Sequence, residues 1–330
     1  MAVAAPAKVV VAAPEHPTYN IKQVIQAALD EDAGDRGDVT TLATIDAATQ
    51  ATATFLAKAD GTLAGVAVAD MVFGAVDPSL AVAWTKRDGD RVWRGEEFGV
   101  VHGSARSILV AERVALNFMQ RMSGIATATA AMVAAVGGTG TRILETRKTA
   151  PGLRLLDKWA VLLGGGANHR MGLFDMMMIK DNHIAAAGGI RQALERAEAF
   201  IREQGLTGKL KVELETRTLE EVDLALQILG SGDAPHVTRV MLDNMARRDA
   251  SLPGGVDVSM LRAALAKVAA HNAAAGAAGT PRVETEASGN VTLESVAAFA
   301  GAGVDYVSVG ALTHSVAALD ISLNIETEPR

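Results

Sequence analysis

The sequence predicts an α/β protein whose C-terminal part is an α/β barrel. Before about residue 115, short β-like runs alternate with glycine-containing turns. After it, short apolar runs that end in a polar or charged residue alternate with helix-like segments. This alternation predicts parallel strands joined by right-handed crossovers. Nearly every apolar run ends in a residue suited to binding or catalysis. This favours a barrel, because a barrel brings the carboxyl ends of all its strands together in one mouth, whereas an open sheet places its site at a single switch point.

The first part of the chain has the pattern of a small α+β domain. A helix is predicted at Ile21–Leu29, and a Gly/Asp turn cluster follows it at Glu31–Asp38. Apolar residues at near-helical spacing predict a long helix from about Ser107 to Met132 that bridges into the second part. Three strands are predicted between these helices, at Ala53–Ala57, Val82–Thr85 and Phe98–Val101.

The second part supplies the barrel. Its predicted strands are Ile143–Glu145, Met177–Lys180, Val212–Glu215, Val240–Asp243, Val283–Glu286 and Tyr306–Gly310. Its predicted helices include Ile190–Gln204, Leu219–Leu229, Met260–Asn272 and Leu293–Ala300. Six or seven strands of this length suit a barrel.

Composition excludes several classes of function. With 330 residues, 49% hydrophobic and 21% charged, the chain is expected to be a soluble globular protein of about two domains. A net charge of −7 argues against nucleic-acid binding, and the absence of cysteine excludes disulfides and thiolate chemistry. The longest uncharged stretch, which includes Ser123–Thr141, is rich in glycine and threonine, so we expect no membrane span. Met1–Pro17 is no secretory signal; a disordered leader and the remnant of a transit peptide both remain open.

A local basic cluster stands out in this acidic chain. Six lysines or arginines lie from Arg147 to Lys180, and several stand at predicted strand ends. A basic mouth suits a small polyanion, because neighbouring cations offset the cost of desolvating several negative charges. Structural alternatives stay open: Arg147 and Lys148 could form a solvated loop pair, and Lys180 could be half of a salt bridge.

Two further groups complete the predicted mouth. Glu215 and Asp243 end neighbouring runs and match a weak Mg²⁺ site that depends on substrate phosphates, or they are ion-pair partners of the lysines. Ser288-Gly289-Asn290, expected to open a helix, and Gly310 after the last strand match a phosphate cup. The chain has neither a dinucleotide fingerprint nor a P-loop, and no histidine spacing typical of a metal site.

These residues form motifs that resemble the quinolinate phosphoribosyltransferase family. The motifs are Glu112-Arg113, Ser123-Gly124-Ile125-Ala126-Thr127, Glu145-Thr146-Arg147-Lys148-Thr149-Ala150-Pro151-Gly152, Gly164-Gly165-Gly166, Asn168-His169-Arg170, Ile179-Lys180-Asp181-Asn182-His183, Leu242-Asp243-Asn244, Glu286-Ala287-Ser288-Gly289 and Gly310-Ala311-Leu312-Thr313-His314-Ser315. The resemblance runs from about Tyr19 to Ile325, and its motifs are highly specific.

The resemblance implies a reaction and an architecture. Quinolinate and phosphoribosyl pyrophosphate would give nicotinate mononucleotide, pyrophosphate and CO₂ with Mg²⁺. The fold would be an N-terminal α/β sandwich domain plus an open, incomplete α/β barrel. We expect a flexible leader over residues 1–18, the sandwich over 19–122 with 315–330 packing back on it, and the barrel over 123–314. The family implies a homodimer with shared active sites, and assembly into hexamers stays open.

The resemblance also implies roles for individual residues. Arg113 would reach into the neighbouring subunit's site. Lys148 would meet the pyrophosphate, and Glu215 and Asp243 would contact the ribose hydroxyls and Mg²⁺. With Lys180, these three form the expected catalytic set. The quinolinate carboxylates would be held by Arg147, His169, Arg170 and Lys180, with Thr146 among the substrate-binding residues. The 5′-phosphate would be cradled by Ser288, Gly289, Asn290 and Gly310.

One departure from the family pattern stands at the phosphate cup, where many bacterial members have glycine and this chain has Asn290. Asparagine tolerates left-handed backbone, so the cup can survive. This residue and the long connection from Ser231 to Pro281 are closer to plant and algal members, so the expected location is cytoplasmic or plastid. Alternative functions are a relative that uses another anionic ring such as nicotinate, a molybdenum-associated relative, and a non-catalytic barrel that binds phosphorylated ligands.

Overall fold

The computed structural model describes residues 11–277 and 281–327, which group into two units. The first unit holds the described residues of Met1–Ala130, Lys148–Gly166 and Leu312–Arg330, and the second holds those of Ala131–Arg147 and Ala167–Ala311. Most of the predicted leader, residues 1–10, lies outside the described residues, as do residues 328–330. No helix in the described ranges is long and apolar enough to cross a bilayer.

The secondary structure follows the predicted alternation. The strands are β1 (Gln50–Ala57), β2 (Gly61–Thr62), β3 (Ala81–Trp84), β4 (Arg91–Val92), β5 (Glu97–Ser104), β6 (Arg142–Leu144), β7 (Met177–Ile179), β8 (Val212–Thr216), β9 (Val237–Asp243), β10 (Arg247–Arg248), β11 (Val256–Asp257), β12 (Glu284–Ser288), β13 (Tyr306–Ser308) and β14 (Ile321–Thr327). The helices are α1 (Ile21–Ala33), α2 (Val39–Thr44), α3 (Val66–Val76), α4 (Ala105–Ala135), α5 (Arg154–Leu163), α6 (Asp181–Ala187), α7 (Ile190–Glu203), α8 (Leu219–Ser231), α9 (Ser259–Ala277), α10 (Val296–Ala300) and α11 (Ala311–His314).

The first unit is built on an antiparallel four-stranded sheet in the order β14-β1-β5-β3. Strand β1 alternates buried and partly exposed residues, which places Phe55 in the core. The Phe55 ring meets Phe73 of α3 edge-on at 6.0 Å between centroids and lies 5.7 Å from Phe98 of β5. Strand β14 pairs with β1 from Ile321 to Thr327, so the C-terminal segment completes this sheet.

Helix α5 belongs to the first unit, which differs from the predicted barrel range of 123–314. Two contacts explain this grouping. The Arg121 guanidinium of α4 forms two hydrogen bonds of 2.8 Å with the buried Asp157 carboxylate of α5. The Trp159 indole of α5 donates to the Val11 carbonyl at 3.0 Å. Helix α5 therefore packs with α4 and with the segment at Val11.

The second unit carries a parallel six-stranded sheet in the order β6-β13-β12-β9-β8-β7. Helices α7 and α8 cover one face of β7 and β8, where Ile179, Val212 and Leu214 are buried in an apolar cluster. The alternate residues Glu213 and Glu215 therefore point to the opposite face. His169, which follows a bridge to β6 at Ala167, reaches Glu213 near the other edge of the sheet. The sheet thus curls into an open α/β barrel, with β6 and β7 as its two edge strands in the described ranges.

Candidate active site

The carboxyl ends of β7, β8 and β9 carry a chain of ion pairs. Lys180 follows β7, and its ammonium group donates to Glu215 Oε2 of β8 at 2.6 Å. Arg217, just beyond β8, donates to Asp181 Oδ2 at 2.6 Å and to Asp243 Oδ2 of β9 at 3.3 Å. Parallel strands bring these ends to one edge, so Lys180, Glu215 and Asp243 lie close together there, and their roles toward a substrate stay predictions.

Glu215 and Asp243 have the donor chemistry of a magnesium site. Both offer carboxylate oxygens, which a hard cation prefers. Each carboxylate already faces a cation, Lys180 in one case and Arg217 in the other, and the Asn244 amide also donates to Asp243 Oδ2 at 2.6 Å. These residues therefore fit a weakly held ion that takes most of its coordination from substrate phosphates. Magnesium at this position remains a prediction.

Two guanidinium groups converge beside the β6 end. Arg147 lies three residues after β6, and Arg170 lies three residues after the bridge at Ala167. Burial and the nearby positive charge of Arg147 lower the pKa of the Arg170 guanidinium. Arg170 Nη1 donates to the Met176 carbonyl at 3.2 Å, which fixes one edge of its fork. Two half-buried like charges held side by side are suited to an anion with two carboxylates.

His169 is buried, and its ring nitrogens face protein groups. Nε2 lies 3.1 Å from Glu213 Oε2 and 3.2 Å from Glu286 Oε2. Nδ1 accepts from the Arg170 backbone N–H at 2.6 Å. Burial alone would lower the pKa of His169, but the two carboxylates outweigh it and raise the pKa to about 9. The predicted contact of His169 with substrate stays a prediction.

Arg239 completes this buried group. Its Nη1 lies 3.0 Å from Glu286 Oε2 and 3.8 Å from Glu213 Oε2, and its guanidinium stacks 4.0 Å from the centroid of the Tyr306 ring. Burial acts to raise the pKa of Glu286, but the His169 ring and Arg239 lower it below its usual range. Burial raises the pKa of Glu213. Sequence reasoning missed this group, and its available signal was the alternation of acidic residues along β8 and β12.

The predicted phosphate cup is a tight turn between strand ends. Asn244 donates its backbone N–H to the Ser288 carbonyl at 2.9 Å, and Gly289 (φ +108°) packs against the Asn244 side chain. Asn290 adopts φ +51°, the left-handed conformation that asparagine tolerates. Gly310 stands between β13 and α11.

The helix after the cup is shorter than predicted. We expected Ser288-Gly289-Asn290 to open it, but α10 begins only at Val296. The delay has a local cause: Thr292 and Ser295 form a turn in which the Thr292 N–H donates to Ser295 Oγ at 3.0 Å. The N–H groups of a helix N-terminus therefore do not follow the cup directly.

The remaining predicted residues are placed as follows. Lys148 is exposed and begins the α5-containing segment of the first unit, and Arg113 is exposed on α4 of the same unit. Thr146 is half-buried beside Arg147 in the chain. The roles of Lys148, Arg113 and Thr146 stay predictions.

Comparison with known proteins identifies the family. Residues 38–123 match the quinolinate phosphoribosyl transferase N-terminal domain, and residues 125–324 match the C-terminal domain of the same family. The chain is 56% identical to a rice protein named nicotinate-nucleotide pyrophosphorylase [carboxylating], chloroplastic, over 98% of this chain and 82% of that one. It is 56% identical to tobacco quinolinate phosphoribosyltransferase [decarboxylating] 1b, over 97% of this chain and 86% of that one.

A solved structure agrees with these relatives. NadC from Streptococcus pyogenes superposes with a TM-score of 0.79 at 36% identity and covers 94% of this chain and 97% of its own. Two consecutive domain matches and relatives of this identity over nearly the whole chain leave one conclusion: the chain belongs to the quinolinate phosphoribosyltransferase family.

Proposed function

We propose that this protein transfers the phosphoribosyl group of phosphoribosyl pyrophosphate to quinolinate. The products are nicotinate mononucleotide, pyrophosphate and CO₂, a step of NAD synthesis. The observation that carries the proposal is the placement of two half-buried guanidinium groups, Arg147 and Arg170, beside the end of β6. Burial, and after it the charge of Arg147, lowers the pKa of Arg170. Two cations side by side match the two carboxylates of quinolinate, whereas nicotinate has only one carboxylate.

The barrel ends supply the rest of the binding site. Arg147, Arg170 and Lys180 hold the ring carboxylates; the resemblance adds Thr146 and also His169, although the ring nitrogens of His169 face protein groups. Glu215 and Asp243 contact the ribose hydroxyls. The turn formed by Ser288, Gly289 and Asn290, with Gly310, receives the 5′-phosphate, and Lys148 meets the pyrophosphate. Most of the rate acceleration then comes from holding two polyanions in line.

Charge governs the chemical steps. The pyridine nitrogen attacks ribose C1 through an oxocarbenium-like state, which the carboxylates of Glu215 and Asp243 stabilise. Lys148 stabilises the negative charge that grows on the departing pyrophosphate. Glu215 and Asp243, together with the substrate, would hold Mg²⁺, which would supply further neutralisation of that charge. The ribosylated nitrogen is cationic, so it stabilises the carbanion left as the 2-carboxylate departs as CO₂.

The family resemblance also supports a proposal for assembly and location. We propose a homodimer in which Arg113 of one subunit completes the site of the other, and further assembly into hexamers would keep this contact. A plastid location is supported by the rice relative, whose name carries the word chloroplastic.

The test is an assay of CO₂ and nicotinate mononucleotide with purified protein, phosphoribosyl pyrophosphate and Mg²⁺. Quinolinate is supplied in one reaction and nicotinate in a parallel one. Product from quinolinate alone supports the proposal, product from nicotinate assigns the chain to another ring, and binding without turnover favours a non-catalytic role. Arg147→Ala should raise KM for quinolinate by about 10- to 100-fold, since a hydrogen-bonded charge contributes about 1.5–3 kcal/mol. Arg191→Ala, which removes an exposed arginine of α7 paired with Asp233, is the control.

A further inference from the structure

Four titratable side chains meet inside the barrel. The proposed reaction uses only one of them, His169, whose role is implied by the family resemblance. We call His169, Glu213, Arg239 and Glu286 the buried quartet. Their side chains are 4%, 0%, 14% and 0% exposed, respectively. Isolated charges at such depth cost several kcal/mol each, so the quartet persists only because its members pair.

With a neutral imidazole, the quartet needs one proton to balance its charge. Two carboxylates bring two negative charges, and Arg239 brings one positive charge. His169 Nε2 stands between Glu213 Oε2 and Glu286 Oε2, at 3.1 Å and 3.2 Å. Because Nδ1 accepts from the Arg170 N–H, the ring hydrogen of His169 is on Nε2 and faces both carboxylates. One proton held by the carboxylate pair would balance the negative charge that remains.

The same atoms could hold a metal ion, since the ligand atoms of His169, Glu213 and Glu286 lie within 4.8 Å of one another. Arg239 argues against this occupant. The Arg239 Nη1 is already 3.0 Å from Glu286 Oε2. A divalent ion bound by Glu286 would therefore lie close to the positive charge of Arg239, which would repel it. The charge of the site favours a proton over a metal.

The quartet is joined to the guanidinium pair through the backbone. Ala167 donates its N–H to the Ile143 carbonyl at 2.8 Å, and the His169 N–H donates to Glu145 Oε1 at 3.0 Å. The Arg170 N–H donates to His169 Nδ1 at 2.6 Å. Glu145 stands two residues before Arg147 in the chain. The His169 backbone therefore ties the segment that carries Arg170 to the segment that carries Arg147, and the His169 ring ties the same segment to Glu213 and Glu286.

We propose that Glu213 and Glu286 are positioning residues for the substrate dicarboxylate. They hold the His169 ring from two strands, β8 and β12, and the held ring sets Arg170 beside Arg147. Glu213 and Glu286 act on the substrate site through His169. The inference rests on the proposed function, because it concerns the site for quinolinate.

The experiment compares His169→Gln, Glu286→Gln and the double variant. Each single change should weaken quinolinate binding, measured by calorimetry, by about tenfold or more, as removal of a supporting partner does elsewhere. KM for phosphoribosyl pyrophosphate should change by less than about threefold. The double variant should bind quinolinate no more weakly than the weaker-binding single variant, because both changes break the same linkage. Multiplying losses would overturn the proposal, since they are expected if His169 binds substrate independently.

Three controls keep each outcome decisive. Thermal unfolding shows whether each variant folds. If Glu286→Gln does not fold, it is replaced by Glu286→Asp, which keeps the negative charge but moves the carboxylate away from His169. Wild-type affinity of Glu286→Asp for quinolinate would overturn the proposal. Stoichiometric zinc in the purified wild type that is lost in Glu286→Asp would also overturn it. If the wild type binds quinolinate without turnover, the proposed function fails while the binding comparison still tests the quartet. If the wild type does not bind quinolinate, both fail.

Discussion

Lys180 and Glu215 form a direct ion pair of 2.6 Å at the ends of adjacent strands β7 and β8. The Glu215 side chain is only 5% exposed, whereas that of Lys180 is 41% exposed. The lysine thus satisfies a nearly buried carboxylate and also presents part of its side chain to the barrel mouth. The pair serves structure and substrate binding together, so the two interpretations of Lys180 left open by the sequence are compatible.

Lys180→Ala should therefore lose activity and some stability. Loss of the ammonium leaves the Glu215 carboxylate without this partner, at a cost of about 1–3 kcal/mol of unfolding free energy. We expect kcat/KM for quinolinate to fall by at least about 100-fold, measured with the fold checked by circular dichroism. Lys267→Ala, which breaks an exposed pair with Asp223, is the matched control and should leave both quantities nearly unchanged. Near-wild-type turnover in Lys180→Ala would remove this lysine from the site.

Arg217 competes for one of the predicted magnesium ligands. Its Nε lies 3.3 Å from Asp243 Oδ2, and an exposed pair of this kind is worth about 0.2–1 kcal/mol. Arg217→Gln should therefore lower the Mg²⁺ concentration for half-maximal activity, by up to about fivefold. The measurement is a magnesium titration at saturating substrates, with Arg248→Gln as the control. A higher magnesium requirement would instead mean that Arg217 itself neutralises bound phosphate.

Gly289 leaves no room for a side chain. A Cβ there would lie 2.3 Å from Asn244 Oδ1, and its φ of +108° disfavours other residues. Gly289→Ala should destabilise the protein by about 1–3 kcal/mol and raise KM for phosphoribosyl pyrophosphate. The matched control is Gly276→Ala in α9, where nothing lies within 4 Å of the added Cβ. Adding Asn244→Gly to Gly289→Ala should recover part of the stability; no recovery would assign the loss to backbone strain alone.

Sharing of sites between subunits can be tested by complementation. Arg113→Ala and Lys148→Ala chains should each be inactive alone. When the two are co-expressed, heterodimers should regain part of the wild-type activity, because one of their two sites then contains both native residues. Differently tagged chains allow purification of the heterodimer before the assay. Heterodimers without activity would show that the two residues serve the same site from one chain.

Much of the fold could be predicted because its elements have clear periodicity. The helix predicted at Ile190–Gln204 is observed as α7 at Ile190–Glu203, with an apolar stripe facing the sheet. Helix α3 could not be found this way. Its sequence, Val66–Val76, is a nearly continuous apolar run, so it lacks the polar face that marks an amphipathic helix.

The site was predictable where one residue stands at a strand end. Lys180, Glu215 and Asp243 each end or follow a run of apolar residues, and topology alone brings such ends together. The buried quartet was not predictable, because His169 and Glu286 meet only after the sheet has curled. The α10 boundary was missed for a local reason, since a turn at Thr292 and Ser295 competes with the first helical turn.

The barrel is open between its two edge strands, β6 and β7, and this opening has a consequence for solubility. Unpaired strand edges expose N–H and C=O groups that can recruit other chains and begin aggregation. Here both edge strands contain only three residues, and Ala167 covers part of β6 by pairing with Leu144. The barrel can therefore stay open without presenting a long strand edge, and substitutions that lengthen β7 should increase aggregation before they alter the active site.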